Sequence, residues 1–170
     1  MAGYLLDTSV LIALVDPKNV LHQAAQQAIG AMAADDLQFV SAISIGEIRT
    51  GVASVQRIHG RTPVHATQTL AGAQARTLLT VSVHVAEAYG DLKAAMVAHY
   101  MPKASKAKPP GHLEDWINHA TGKRLAVNEN DLWICAQAFE RDLHVLTCDQ
   151  DFDRIREAEP RLNVNLLRAI

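Results

Sequence analysis

Cysteine is scarce in this sequence: Cys135 and Cys148 are the only two, and they show no CxxC or zinc-like spacing. A disulfide framework is thereby excluded, and a reducing cytoplasm is the simplest setting. The eight histidines form no HxxxH or HExxH pair, and His112 and His119 stand seven apart in a stretch with no helical pattern. Nothing here has the ligand spacing of a histidine zinc site. Long hydrophobic runs are missing as well. The apolar start MAGYLLDTSVLIALVD lacks a basic leader and is interrupted by Asp7. Its run from Ser9 to Val15 is too short to span a bilayer, so it reads as buried core. An excess of positive charge is also lacking, with 16 Lys and Arg against 18 Asp and Glu and a net charge of −2. No global basic field draws in a polyanion, so contact with nucleic acid would need local basic clusters or metal ions.

What is present is ordinary globular material. Hydrophobic residues make up 49% and charged residues 20% of 170 positions, enough for one domain with a sizeable core. Tyr4–Leu6 reads as a strand that runs through Asp7-Thr8-Ser9 into a helix closed by Pro17. A second helix is expected over His22–Ala34 and a second strand over Leu37–Ala42. Ser44-Ile45-Gly46-Glu47 matches the S-x-x-E capping box and predicts a helix from there to about His59, ended by Gly60–Pro63. Further helices are expected over Ala66–Leu78 and Val85–Tyr100, with a short edge strand at Val81–Val83 between them. Residues 101–112 form the clearest loop, with three prolines, a glycine and three lysines. A short helical piece follows at Leu113–His119. Asn130-Asp131 opens a strong helix to Arg141, Leu143–Leu146 is a strand, and a short helix and a strand at Asn163–Leu167 finish the chain. Strands alternating with helices predict a single α/β domain over 1–170, built on a mostly parallel central sheet flanked by helices. The stretch at about 101–127 reads as a loop-rich insertion.

Four acids deserve singling out. Each has a structural role available: Asp7 as an N-cap, Glu47 as the third position of a capping box, Asp131 as a first-turn acid, Asp149 as the cap of the next helix. Their placement adds something. Asp7 and Asp149 follow short apolar strands, and parallel strands bring such ends to the sheet edge where ligands bind. Glu47 and Asp131 open helices near that edge. Four clustered carboxylates repel one another, and a divalent cation removes that cost. Oxygen ligands without His or Cys favour Mg²⁺ or Mn²⁺ over Zn²⁺.

LLDTSVLIAL, SAISIGEI, NDLWICAQA and VLTCDQDF occur in that order, and together they resemble the motifs of PIN-domain nucleases. The closest likeness is to VapC-type toxins of type II toxin–antitoxin pairs. The resemblance implies a PIN-like fold and a Mg²⁺-dependent endoribonuclease. It implies an acidic quartet of Asp7, Glu47, Asp131 and Asp149, with Asp7, Asp131 and Asp149 as metal ligands and Glu47 holding water or a second ion. Thr8 and Thr147 would orient carboxylates or water, and Asp151 would cap the following helix or pair with a basic side chain. It further implies an RNA substrate cut to a 5′-phosphate and a 3′-hydroxyl, a cognate antitoxin, a homodimer, a cytoplasmic location and no membrane contact. In such relatives an antitoxin segment fills an apolar groove, and Ile45, Ile48, Val52 and Val55 offer one such face.

Arg49, Arg57, Arg61, Lys103, Lys106, Lys108, Lys123 and Arg124 are the basic groups available to position phosphates. Trp133, Phe139 and Cys135 read as core. Two other activities fit less well. A phosphoacceptor receiver domain wants its acceptor Asp at a central strand end and a Lys after the last strand, whereas here Ser41-Ala42 and Leu166-Leu167-Arg168 stand there. A Mg²⁺-dependent phosphatase wants DxD at the first strand, and Asp7 is followed by Thr8-Ser9. The alternative that remains is a catalytically inactive PIN-like scaffold binding RNA or protein.

Overall fold

The computed structural model describes residues 1–101 and 111–169, so Lys103, Lys106 and Lys108 lie outside the described residues. Five strands form one sheet: β1 (Gly3–Leu6), β2 (Leu37–Ser41), β3 (Thr77–Leu79), β4 (His144–Thr147) and β5 (Val164–Leu166). Their order is β3-β2-β1-β4-β5, and every neighbouring pair is parallel. The chain builds outward from β1 through β2 to β3, then returns to the other side of β1 with β4 and β5. This reversal leaves a crevice at the carboxyl ends of β1 and β4, the place where open α/β sheets take ligands.

Alternation along the strands explains why both faces are covered. Leu5 and Val145 join one apolar cluster with Leu92, Met96, Leu132 and Phe152, while Leu6, Val40 and Leu146 join the other with Val10 and Leu70. Successive side chains point to opposite faces, so a strand buried on both reads as a continuous apolar run. The covering helices are α1 (Thr8–Val15), α2 (His22–Gly30), α3 (Ala42–His59), α4 (Val64–Gln74), α5 (Val83–Tyr100), α6 (Glu129–Glu140) and α7 (Asp151–Ala158). Among the described residues no helix is long and apolar enough to cross a membrane. Cys135 is buried and Trp133 stacks on Tyr89, as their core reading requires.

Several boundaries differ from the sequence reading, each for a local reason. α2 stops at Gly30 rather than Ala34, and Asp36 gathers the following turn by accepting from the Ala2 and Ala33 amides. The edge strand is Thr77–Leu79, not Val81–Val83. α4 ends early enough to free those residues, and Ser82 caps α5 through the Val85 amide. The helical piece after residue 111 is a single 3₁₀ turn at Leu113–Asp115.

The largest change concerns Ser44. The strand passes directly into α3, and the N-cap is Ser41, whose hydroxyl accepts from the Ile43 amide at 2.9 Å. Ser44 therefore lies inside the helix, buried, and its hydroxyl has no hydrogen-bond partner among the described residues. The S-x-x-E match is not a capping box, and Glu47 has no capping duty. At the other end Gly60, with φ 63°, terminates α3 in the left-handed conformation that glycine adopts without strain. Ser41→Ala is expected to lower stability by about 1 kcal/mol. Ser44→Ala should cost nothing or stabilise slightly, because it removes an unsatisfied buried hydroxyl. Urea unfolding of the two variants decides between the caps; a larger loss for Ser44→Ala would restore the capping box.

Candidate active site

Asp7 follows β1 and caps α1, and only 3% of it is exposed. Its Oδ2 accepts from the Ser9 amide at 3.2 Å, from the Ser9 hydroxyl, and from the Thr147 hydroxyl at 3.0 Å. Thr147 ends β4, and its oxygen also accepts the Asp149 amide at 3.0 Å. Ser9 Oγ likewise accepts the Cys148 amide at 3.0 Å. Two hydroxyls thus latch the ends of β1 and β4 together around one carboxylate. Burial pushes the Asp7 carboxyl up, and the hydroxyl and amide bonds pull it back.

Glu47 is held through both oxygens. One accepts the Thr8 hydroxyl at 2.5 Å, the other the Asn130 side-chain amide at 2.9 Å. These bonds join α3 to α1 and to the start of α6. Asp131 lies in the first turn of α6, which Asn128 caps by accepting the Asn130 amide. Burial raises the Asp131 carboxyl first, and the charges of Asp7, Asp149 and Glu47 add to it, bringing it to about 8. That repulsion is the electrostatic signature of four carboxylates sharing one site. Asp149 accepts the Asp151 amide at 2.9 Å, and Asp151 is paired with Arg154. The expectation that Asp151 meets a basic side chain agrees with this geometry.

Asp7, Thr8, Ser9, Glu47, Asp131, Asp149 and Asp151 line a cleft of about 560 Å³ that also receives Glu114 and Asn128, and among the described residues no Lys or Arg lines it. Those of the named basic side chains that lie among the described residues stand elsewhere. Arg124 pairs with Asp115 at 3.7 Å, and Arg61 lines a neighbouring groove that meets the cleft at Ile12, Ala66 and Thr69. Three site residues escaped the sequence reading. Ser9 and Asn130 each stand beside a named acid, a hydroxyl and an amide within reach of a carboxylate. Glu114 had no signal, because it sits in a stretch without periodicity.

Among the described residues the donor set suits a hard divalent cation: carboxylate oxygens, no thiolate and no imidazole, with neighbouring charges that add to the proton affinity of Asp131. Among the described residues no three His, Cys, Asp or Glu side chains already close on one point as a cage.

A family model for the PIN domain matches residues 4–158. No curated protein matches the chain. Among solved structures it is similar to VapBC2 from Rickettsia felis bound to a promoter DNA fragment, at 17% identity and a TM-score of 0.63, covering 98% of this chain and 99% of that one. It is similar to VapBC-5, a toxin–antitoxin system from Mycobacterium tuberculosis, at 24% identity and TM-score 0.59, covering 99% of each. A third likeness is to VapC20 of the same organism, a toxin that cleaves the sarcin-ricin loop, at 15% identity and TM-score 0.53, covering 88% of this chain and 92% of that one. At these identities the likeness is one of fold.

The raised Asp131 carboxyl sets a direction for stability. Its folded value, about 8, exceeds the ordinary 3.8. Its contribution is therefore complete below pH about 4 and is lost as pH rises towards about 8. In EDTA, thermal unfolding midpoints should fall across that window. Asp131→Asn should flatten the fall and leave the metal-free protein more stable at pH 8 by roughly 2–4 °C for each kcal/mol of repulsion relieved. An equally steep fall in the variant would show that Asp131 is not the group responsible.

Proposed function

We propose that this chain, which belongs to the PIN domain family, is a Mg²⁺- or Mn²⁺-dependent endoribonuclease acting as the toxin of a toxin–antitoxin pair. One observation carries the reading: the carboxylates of Asp7, Glu47, Asp131 and Asp149 line one cleft at the crevice between β1 and β4. Similarity of fold to VapBC complexes and to an RNA-cleaving VapC supports it. The same likeness supports a cognate antitoxin as partner, together with the homodimeric state and cytoplasmic location expected from the sequence.

Asp7, Asp131 and Asp149 are the residues that would hold the ion. When bound, it supplies Lewis acidity, lowering the pKa of a water and neutralising charge that develops on the scissile phosphate. The chain's own groups do the rest. Ser9 and Thr147 fix Asp7 and offset part of the rise that burial imposes on its carboxyl, since all three of their bonds favour its charged form. Glu47, restrained by Thr8 and Asn130, orients the attacking water. No side chain needs to act as a nucleophile, because water attacks phosphorus directly.

Incubation with structured RNA and Mg²⁺ or Mn²⁺ should give cleavage that EDTA abolishes, with 5′-phosphate products. Asp7→Asn and Asp131→Asn should each lower the rate by roughly a thousandfold or more, as several kcal/mol of charge stabilisation go with a ligand. Cleavage that persists in EDTA, or an Asp7→Asn variant as fast as the wild type, would refute the mechanism. Binding of RNA without cleavage would favour the non-cutting scaffold.

A further inference from the structure

The connection between α5 and α6 is the part of the sequence that the proposed reaction leaves without a purpose. Its described portion is anchored. Leu113, Trp116, Leu125 and Val127 are buried, the Leu125 amide donates to the Trp116 carbonyl at 2.8 Å, and Ile117 bridges Arg124. Arg154, the partner of Asp151, also donates to the Leu125 carbonyl at 2.6 Å. The 3₁₀ turn is thus held against the site, and its central residue, Glu114, lines the acidic cleft.

A Glu114 oxygen accepts the backbone amide of Glu129, the first residue of α6, at 3.3 Å. The Glu129 carboxylate in turn receives Lys93 Nζ at 2.5 Å. Lys93 belongs to α5, and the same ammonium donates to the Tyr89 hydroxyl at 2.7 Å. Tyr89 stacks on Trp133 of α6 with ring centroids 3.9 Å apart. Both members of the Lys93–Glu129 pair are mostly shielded from water, with 27% and 30% of their side chains exposed. The attraction is therefore screened less than at an open surface.

The first turn of α6 needs such a hold. It sends Asn130 to Glu47 and Asp131 into a cluster whose other members repel it. We propose that Lys93, Glu129 and Glu114 form a clasp that fixes this turn, and that Lys93 and Glu114 are thereby positioning residues for Asn130 and Asp131. The described part of the connection, through Glu114, then serves as a wall of the active site. This inference rests on the metal-dependent reading above.

Opposite charges make the clasp testable. Were the two residues to act only through their field, Lys93→Met would tighten Mn²⁺ binding by removing a cation, and Glu114→Ala would weaken it by removing an anion. A clasp predicts the same sign for both. Titration of the full chain with Mn²⁺, followed by electron paramagnetic resonance, should show affinity weakened roughly tenfold in each variant. Lys93→Arg and Glu114→Gln, which keep a donor and an acceptor in place, should recover most of it. In metal-free protein, hydrogen exchange at the Asn130, Asp131 and Leu132 amides should quicken in Lys93→Met and Glu114→Ala and return to normal in the conservative variants. Cleavage should lose kcat with KM little changed. Affinity changes of opposite sign, or unchanged exchange, would overturn the clasp. A wild-type chain that binds no Mn²⁺ would instead refute the metal reading, and the exchange comparison would still decide on the clasp.

Discussion

Asp7 is almost wholly buried and is held by a hydroxyl from a residue 140 positions away. Burying a carboxylate in an apolar interior costs several kcal/mol unless polar groups answer it. Here the answer comes from Ser9 and Thr147, and both also bind backbone amides in the loop after β4. The bonds that answer the buried Asp7 carboxyl therefore fix the junction of β1 and β4. All three of them fall on Oδ2. Sheet topology, loop geometry and site chemistry share this one latch.

A second constraint works against the first. Burial of Asp131, together with the charges of Asp7, Asp149 and Glu47, raises its carboxyl to about 8, so ionising it in the metal-free fold carries a cost. Natural sequences break the rules of stable design at functional sites and compensate elsewhere. The compensation is visible in the polar partners. Each oxygen of Glu47 has its own donor, and the start of α6 is capped by Asn128 and met by Glu114. The site is arranged to tolerate repulsion that a cation would remove.

Much of this was legible in the sequence. Alternating strands and helices fixed a parallel sheet, and a parallel sheet brings residues after β1 and β4 to one edge. Asp7 and Asp149 follow from that logic alone. Other features were illegible because they are tertiary. Ser44-x-x-Glu47 satisfies a local motif, yet the fold starts α3 at Ala42 and turns the Ser44 hydroxyl inward. A three-residue edge strand such as Thr77–Leu79 is too short for any period to show. The partners Ser9, Asn130 and Glu114 act across elements, and no spacing along the chain announces such bonds.

The failed capping box carries the argument one step further. An N3 glutamate would have spent its carboxylate on its own helix terminus, and Glu47 could then have been explained without any site. Placed deeper in α3, it has no local partner to satisfy it, and both oxygens reach to other elements. Thr8 opens α1 beside Asp7, and Asn130 stands in the first turn of α6 beside Asp131. Glu47 thus bridges the two helix starts that carry the other acids, and a register slip in β1 or a shift of α6 would break its bonds. Removing the capping role leaves this bridging geometry as the physical reason for a carboxylate at position 47.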